Sequence, residues 1–296
     1  MSSRSEDDSA FPFPSANRIA LYAALVVMAA FYLGPLESGL MTALKSQEAF
    51  YETSPFVPPF GGAVTFRPWI EAFGQLEHAL VNSLLFTVPA TLLSAVIGSL
   101  AAYGLTGVNW RGQVAVLLLF VAGIFIPYQS VLVPLTRFWT IVDVSELLAA
   151  IPPLAERPGI IELIFTHTAY GIPITTLLFR AHYKSLSESM LEAARLDGAS
   201  VSRIYLRIVL PLSVPMFIVA LIYQFTNIWN DLLFALVLVS NPGNEAVTIA
   251  LSKLKGSMVQ QFNLQMAGAF ITAFPTLVVY ILFGEQFAEG VEGGGT

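Results

Sequence analysis

The sequence predicts an all-α, polytopic membrane protein with six transmembrane helices. Three observations carry that prediction. First, 55% of the 296 residues are hydrophobic and only 11% are charged, against about 25% charged in a soluble domain. Second, the charges cluster and leave several uncharged windows of about twenty residues, the length a helix needs to cross a ~30 Å hydrocarbon core. Third, the apolar runs are continuous rather than alternating. That favours helices over a β-barrel, the two closed hydrogen-bonding solutions that lipid permits.

The spans are expected in the following order. The first covers about 18–40, with Pro35 and Glu37 near its far end. The leader MSSRSEDDSAFPFPSANR is acidic and the apolar run after it is long. A cleaved signal needs a basic start and a short apolar stretch, so residues 1–17 read as a disordered tail before an uncleaved helix. A Pro- and Gly-rich polar segment follows, whose Phe56, Phe60, Phe66 and Trp69 suit a membrane interface. The second span is about 79–105 and the third 113–136, with Pro127 and Pro134 inside it. A loop through Asp143, Glu146, Glu156 and Arg157 leads to the fourth at about 159–180. The fifth runs about 211–240 and the sixth about 264–284. The glycine-rich tail 285–296 is expected to fray.

Six spans put both termini on one side. Arg4, Arg18, Arg111, Arg180, Lys184, Arg195, Arg203 and Arg207 collect there, and Lys45, Arg67, Arg137, Arg157, Lys253 and Lys255 on the other. Eight against six places the termini in the cytoplasm by the positive-inside rule.

Composition also excludes. No cysteine means no disulfide and no thiolate chemistry. A net charge of −6 gives no basic face for nucleic acid. With four lysines, the acidic excess fits a salt-loving host and an ordinary membrane protein alike. His78, His167 and His182 stand in no metal-ligand spacing, and no metal is expected. G-x-x-x-x-G-K-[ST] has no match, so the chain itself does not hydrolyse ATP.

Between the fourth and fifth spans lies LEAARLDGASVSRIYLRIVLP, residues 191–211. Residues 185–197 read as a helix in which Glu188, Glu192 and Arg195 share a face. Gly198 sits where a left-handed cap places glycine, and Ser200 can cap a second helix. There Val201, Ile204 and Ile208 line one side and Arg203 and Arg207 another. The expected product is a helix–turn–helix on the membrane surface, either an anchor for the spans or a docking element.

The spacing Glu192-Ala193-Ala194, Gly198, Ile208, Leu210-Pro211 resembles the EAA loop of permease subunits from binding-protein-dependent ABC importers. AYGIPITTLLFRAHYKSL, RIVLPLSVP, Trp229-Asn230-Asp231 and FAEGVEGGG resemble the carbohydrate-uptake branch, near the maltose-type second permease, over roughly residues 79–293. Ser187 stands where that family often has proline, and the tail lacks its lysine–glycine ending.

The resemblance implies a six-helix permease domain over 18–284, with a coupling loop at 183–211 that docks into a cytoplasmic ATPase. Glu192, Ala193, Ala194, Arg195, Asp197, Gly198, Ile208 and Pro211 would form the coupling element. It implies a second homologous permease, an ATPase dimer that binds ATP and Mg²⁺ in place of this chain, an external sugar-binding protein, and a sugar substrate such as glucose. Lys253, Lys255 and Gly256 in the last external loop are candidate contacts for that binding protein. Asn227, Trp229, Asn230 and Asp231 are polar groups at membrane depth. They either line a translocation path or hold neighbouring helices together. The same choice applies to Asn82, Ser83, Gln129 and Ser130, where structure is favoured. Rival readings are a permease for glycerol phosphate or a polyamine, a stand-alone secondary transporter, and an intramembrane enzyme, for which no constellation is evident.

Overall fold

The computed structural model describes residues 16–108, 110–254 and 261–292. These residues are overwhelmingly helical, with one isolated β-bridge between Lys45 and Val64. Four helices are each long and apolar enough to cross a bilayer: α1 (Ala16–Ala43), α3 (Arg67–Gly104), α8 (Pro158–Ser185) and α14 (Phe262–Glu292). Two bent pairs complete six spans if each pair is one span. These are α4 (Gln113–Ile124) with α5 (Tyr128–Val142), and α10 (Val201–Leu212) with α11 (Val214–Trp229). Short helices α2 (Gln47–Glu52), α6 (Val144–Leu147), α7 (Pro152–Ala155), α9 (Glu188–Leu196), α12 (Leu233–Leu238) and α13 (Val247–Lys253) join them.

Several boundaries differ from the sequence expectation. α3 begins at Arg67, twelve residues before the expected span. At 1.5 Å per residue its 38 residues reach about 57 Å, well beyond the hydrocarbon core. The charged start, with Arg67 paired to Glu71 at 2.7 Å, is where it projects. The third span is bent by 102° where Pro127, with extended backbone, replaces a helical turn. The fifth is interrupted at Asn230–Leu232 and resumes as α12. The tail expected to fray is helical to Glu292.

The long polar segment after α1 folds back as a cap. Thr65 N–H bonds Leu44 O at 2.9 Å and Ser46 N–H bonds Ala63 O at 3.1 Å. Lys45 is buried, and its ammonium donates to Ser54 O at 2.7 Å. Trp69 is half-buried: its Nε1 donates to Ala43 O and it stacks on Phe270. Phe56, Phe60 and Phe66 remain exposed.

The main seam joins α3 to α8, and α11 packs on both α3 and α14. Small residues make the close approach possible: a Cβ on Gly98 would overlap the Thr175 side chain, and one on Gly171 would overlap Gln224 and Ser94. Asn82 and Ser83 serve the bundle, as expected. Asn82 donates to Gly243 O and Glu245 O, and Ser83 Oγ accepts from Val247 N–H at 2.8 Å. Gln129 and Ser130 do not: both are exposed, and Ser130 bonds only within its own turn.

Most of α1, and much of α4 and α5, exposes large apolar side chains. In a membrane chain such faces meet lipid or another subunit.

Candidate functional site

Two places concentrate polar chemistry: the loop between α8 and α11, and the break that follows α11.

The loop begins where Ser187 Oγ accepts from Met190 N–H at 3.4 Å, capping α9. The serine in the family's usual proline position thus supplies a cap that proline cannot. The helix starts at Glu188, later than the expected 185, because α8 runs on to Ser185. It ends in a Schellman motif. Gly198 N–H bonds Arg195 O and Ala199 N–H bonds Ala194 O, both at 3.0 Å. Gly198 has φ +76°, and nothing stands near the position of a Cβ. Backbone conformation, rather than crowding, therefore demands glycine there. Ser200 Oγ then accepts from Arg203 N–H at 3.3 Å and caps α10.

Residues Tyr205–Val209 form one π-helical turn inside α10. That inserted turn changes the buried face. Ile204, Tyr205 and Val209 are buried, whereas Val201 is exposed and Ile208 half-buried, so the expected Val201–Ile204–Ile208 stripe does not hold. Arg203 and Arg207 are exposed, as expected. Pro211 lies in the last turn of α10, before the 73° bend into α11.

A buried hydroxyl cluster ties this loop to the bundle. Ser99 Oγ on α3 lies 2.5 Å from Tyr183 Oη on α8 and 2.7 Å from Tyr205 Oη on α10. Tyr103 Oη donates to Val201 O at 3.1 Å. Arg195 Nη2 donates to Gly107 O at 3.1 Å, beyond the end of α3. The outer surface is open: Glu192, Ala193, Asp197 and Gly198 are exposed and Ala194 is half-buried. Leu196, which sequence reasoning missed, is 89% exposed at the tip. An apolar side chain beside a turn glycine in a polar loop was the available signal.

The second place is built by Asp231. Its carboxylate accepts from Phe234 N–H at 3.1 Å and Ala235 N–H at 3.3 Å, capping α12 across the break. Its Oδ2 also stands 3.7 Å from Nε2 of His167 on α8, and both side chains are more than nine-tenths buried. His167 Nε2 has no hydrogen-bond partner, and its ring stacks on Phe86. Tyr128, Tyr170, Gln224 and Asn227 join Asp231 and His167 around a cavity of about 70 Å³. Tyr128 and Tyr170 meet edge to face at 4.9 Å.

Of the four expected path residues, Asn227 and Asp231 line this cavity. Asn230 is exposed beside it, with its amide on Thr226 O. Trp229 is not among the lining residues: it is buried, stacks on Phe225 and donates to Thr272 O of α14 at 2.9 Å. His167, Tyr128 and Tyr170 were not singled out from sequence as path residues.

In α13, before α14, Lys253 pairs with Glu245 and stays largely exposed. Lys255 and Gly256 lie outside the described residues. No group of three or more His, Asp or Glu able to hold a metal occurs among the described residues.

Four apolar helices long enough to cross a bilayer, and up to six if each bent pair is one span, define a polytopic membrane chain, and its relatives name the class. Residues 94–284 match the model of the binding-protein-dependent transport system inner membrane component. The chain belongs to that family, the transmembrane permeases of ABC importers. It is 46% identical over 283 residues to the xylose/arabinose import permease protein of Haloferax volcanii, covering 93% of this chain and 92% of that one. It is 29% identical over 283 residues to the glucose import system permease protein of Saccharolobus solfataricus, covering 93% and 94%. In fold it is similar to a chain of a bacterial ABC transporter that imports the acidic polysaccharide alginate. The TM-score there is 0.72 at 18% identity, covering 93% of this chain and 99% of that one.

Proposed function

We propose that this chain is one of two permease halves of an ATP-driven sugar importer, with a pentose of the xylose/arabinose class as its substrate. The observation that carries the substrate class is the 46% identity, sustained over nearly the whole of both chains, to a xylose/arabinose import permease. A pentose stands ahead of glucose because the similarity to the glucose permease is lower, at 29%.

In this reading α9 and its Gly198 turn dock into a cleft on a cytoplasmic ATPase, with both termini on the same side. Glu192 meets a basic group there, Ala193 and Ala194 permit close approach, and Leu196 enters an apolar pocket. Arg195, Asp197, Ile208 and Pro211 hold the shape of the element. The ATPase dimer binds ATP and Mg²⁺, and its closure drives the loop. A second permease completes the path, and an external sugar-binding protein delivers the substrate to the face bearing Lys253, Lys255 and Gly256. Asn227, Asp231, His167 and the two tyrosines offer a sugar acceptors, amides and aromatic faces. Asn230 borders this set, and Trp229 supports it from behind.

The test is purification of the tagged chain from mild detergent, identification of bound proteins by mass spectrometry, and reconstitution with labelled xylose. Recovery of a P-loop ATPase and a second permease, with uptake that needs ATP, is expected. Recovery of the chain alone, in folded form, or uptake without ATP, would overturn the reading.

A further inference from the structure

At the membrane face that carries the loop, a pocket of about 710 Å³ opens between the ends of α3 and α8, the start of α4, and α9. Three cations line it, Arg180 and Lys184 of α8 and Arg195 of α9, against one carboxylate, Glu188. None of the three cations forms an ion pair among the described residues. Arg195 spends one nitrogen on Gly107 O. The Nε of Arg180 is buried with no hydrogen-bond partner at all. A buried guanidinium N–H without an acceptor is unfavourable, so Arg180 has hydrogen-bonding capacity to spare.

The pocket also has an apolar lining. Val114 and Leu117 of α4 and Leu191 of α9 line it, and α4 exposes Val114, Leu118 and Leu119 on its outer surface. The pocket therefore combines three cations with apolar side chains of α4 and α9. We infer that it binds a phosphate anion, carried either by an anionic lipid headgroup or by a soluble phosphate. Phosphate oxygens accept several charge-assisted bonds at once, from the guanidinium groups and from the Lys184 ammonium. Basic pockets between membrane helices are known recognition sites for such headgroups. Occupation would tie α8 to α9, on the inner side of the loop and away from the exposed Leu196 tip.

The inference does not depend on the sugar reading. Its test uses the full chain, purified with whatever subunits it retains, in a neutral detergent. Phosphatidylglycerol and phosphatidylcholine are offered in equal amounts, and retained lipid is counted by native mass spectrometry. In parallel, thermal unfolding is followed in inorganic phosphate and in chloride at equal ionic strength. Selective retention of phosphatidylglycerol, about tenfold weaker in Arg180→Gln, assigns a lipid headgroup. Stabilisation by inorganic phosphate, lost in the same variant and without lipid selectivity, assigns a soluble phosphate. Lys184→Gln, at an exposed position, repeats both arms if Arg180→Gln does not fold. Equal retention of the two lipids together with no phosphate effect overturns the inference.

Discussion

The Tyr205 hydroxyl lies 2.7 Å from Ser99 Oγ, so the π-helical turn of the loop is joined to the C-terminal ends of α3 and α8. Tyr183 closes the same cluster from α8. Movement of the loop must therefore carry α3 and α8 with it or break a buried hydroxyl network. Under the proposed function, this cluster would link the ATPase-docking loop to the path between the helices.

Ser99→Ala tests that link. It leaves two tyrosine hydroxyls without their shared partner, at a cost of about 1–3 kcal/mol. A fall in thermal stability of that size is expected, together with ATP hydrolysis that no longer scales with sugar uptake. An unchanged ratio of uptake to hydrolysis would show that the network only stabilises the bundle.

Gly198→Val places a β-branched residue at φ +76°. The left-handed conformation costs an ordinary L-residue about 1–2 kcal/mol, and a branched one more. The chain should still insert and fold, because the turn is exposed, but co-purification of the ATPase should fall sharply. Gly198→Asn should keep most of it, since asparagine tolerates this region.

Trp229→Phe separates packing from transport. It removes one bond to Thr272 O, worth about 1 kcal/mol. Because Trp229 does not line the cavity, a lower melting temperature with unchanged apparent affinity for sugar is expected. Asn227→Ala, at a lining position, should do the reverse. Equal effects on affinity would remove the distinction.

Asp231 carries two duties, and two substitutions divide them. Asp231→Asn retains an oxygen for the Phe234 and Ala235 N–H groups, so helix α12 should stay capped. Asp231→Ala uncaps it, at about 0.5–2 kcal/mol. Loss of transport in both, with loss of stability only in the alanine variant, is expected from uptake and melting measured side by side.

Much of the loop was legible in the sequence because its signals are local. Gly198 follows the last periodic residue of α9, and Ser200 stands directly before a helix, so the turn and the cap follow from chain order. The π-turn at Tyr205–Val209 leaves no such mark. It inserts one residue into the register without changing composition, and moved the buried face from Val201 and Ile208 to Tyr205 and Val209.

The start of α3 was missed because a search for apolar runs ignores Glu71, Glu77 and His78, which sit comfortably on the part of a helix that projects from lipid. At the cavity, the cluster Trp229-Asn230-Asp231 announced polar chemistry at depth. It did not reveal that a break would turn Trp229 inward and Asp231 toward His167, a residue on another helix far away in sequence. Such pairings are set by packing, which one sequence does not encode locally.

The central claim is that the loop tip enters an ATPase. The chain has no cysteine, so Leu196→Cys provides a single reactive thiol at the most exposed apolar point of α9. A short thiol-directed cross-linker is added to native membranes, and the adduct is identified by mass spectrometry. A cross-link to a subunit carrying a P-loop, whose yield changes when ATP is bound, is the result predicted here. A thiol that labels freely but joins no such subunit would contradict the account.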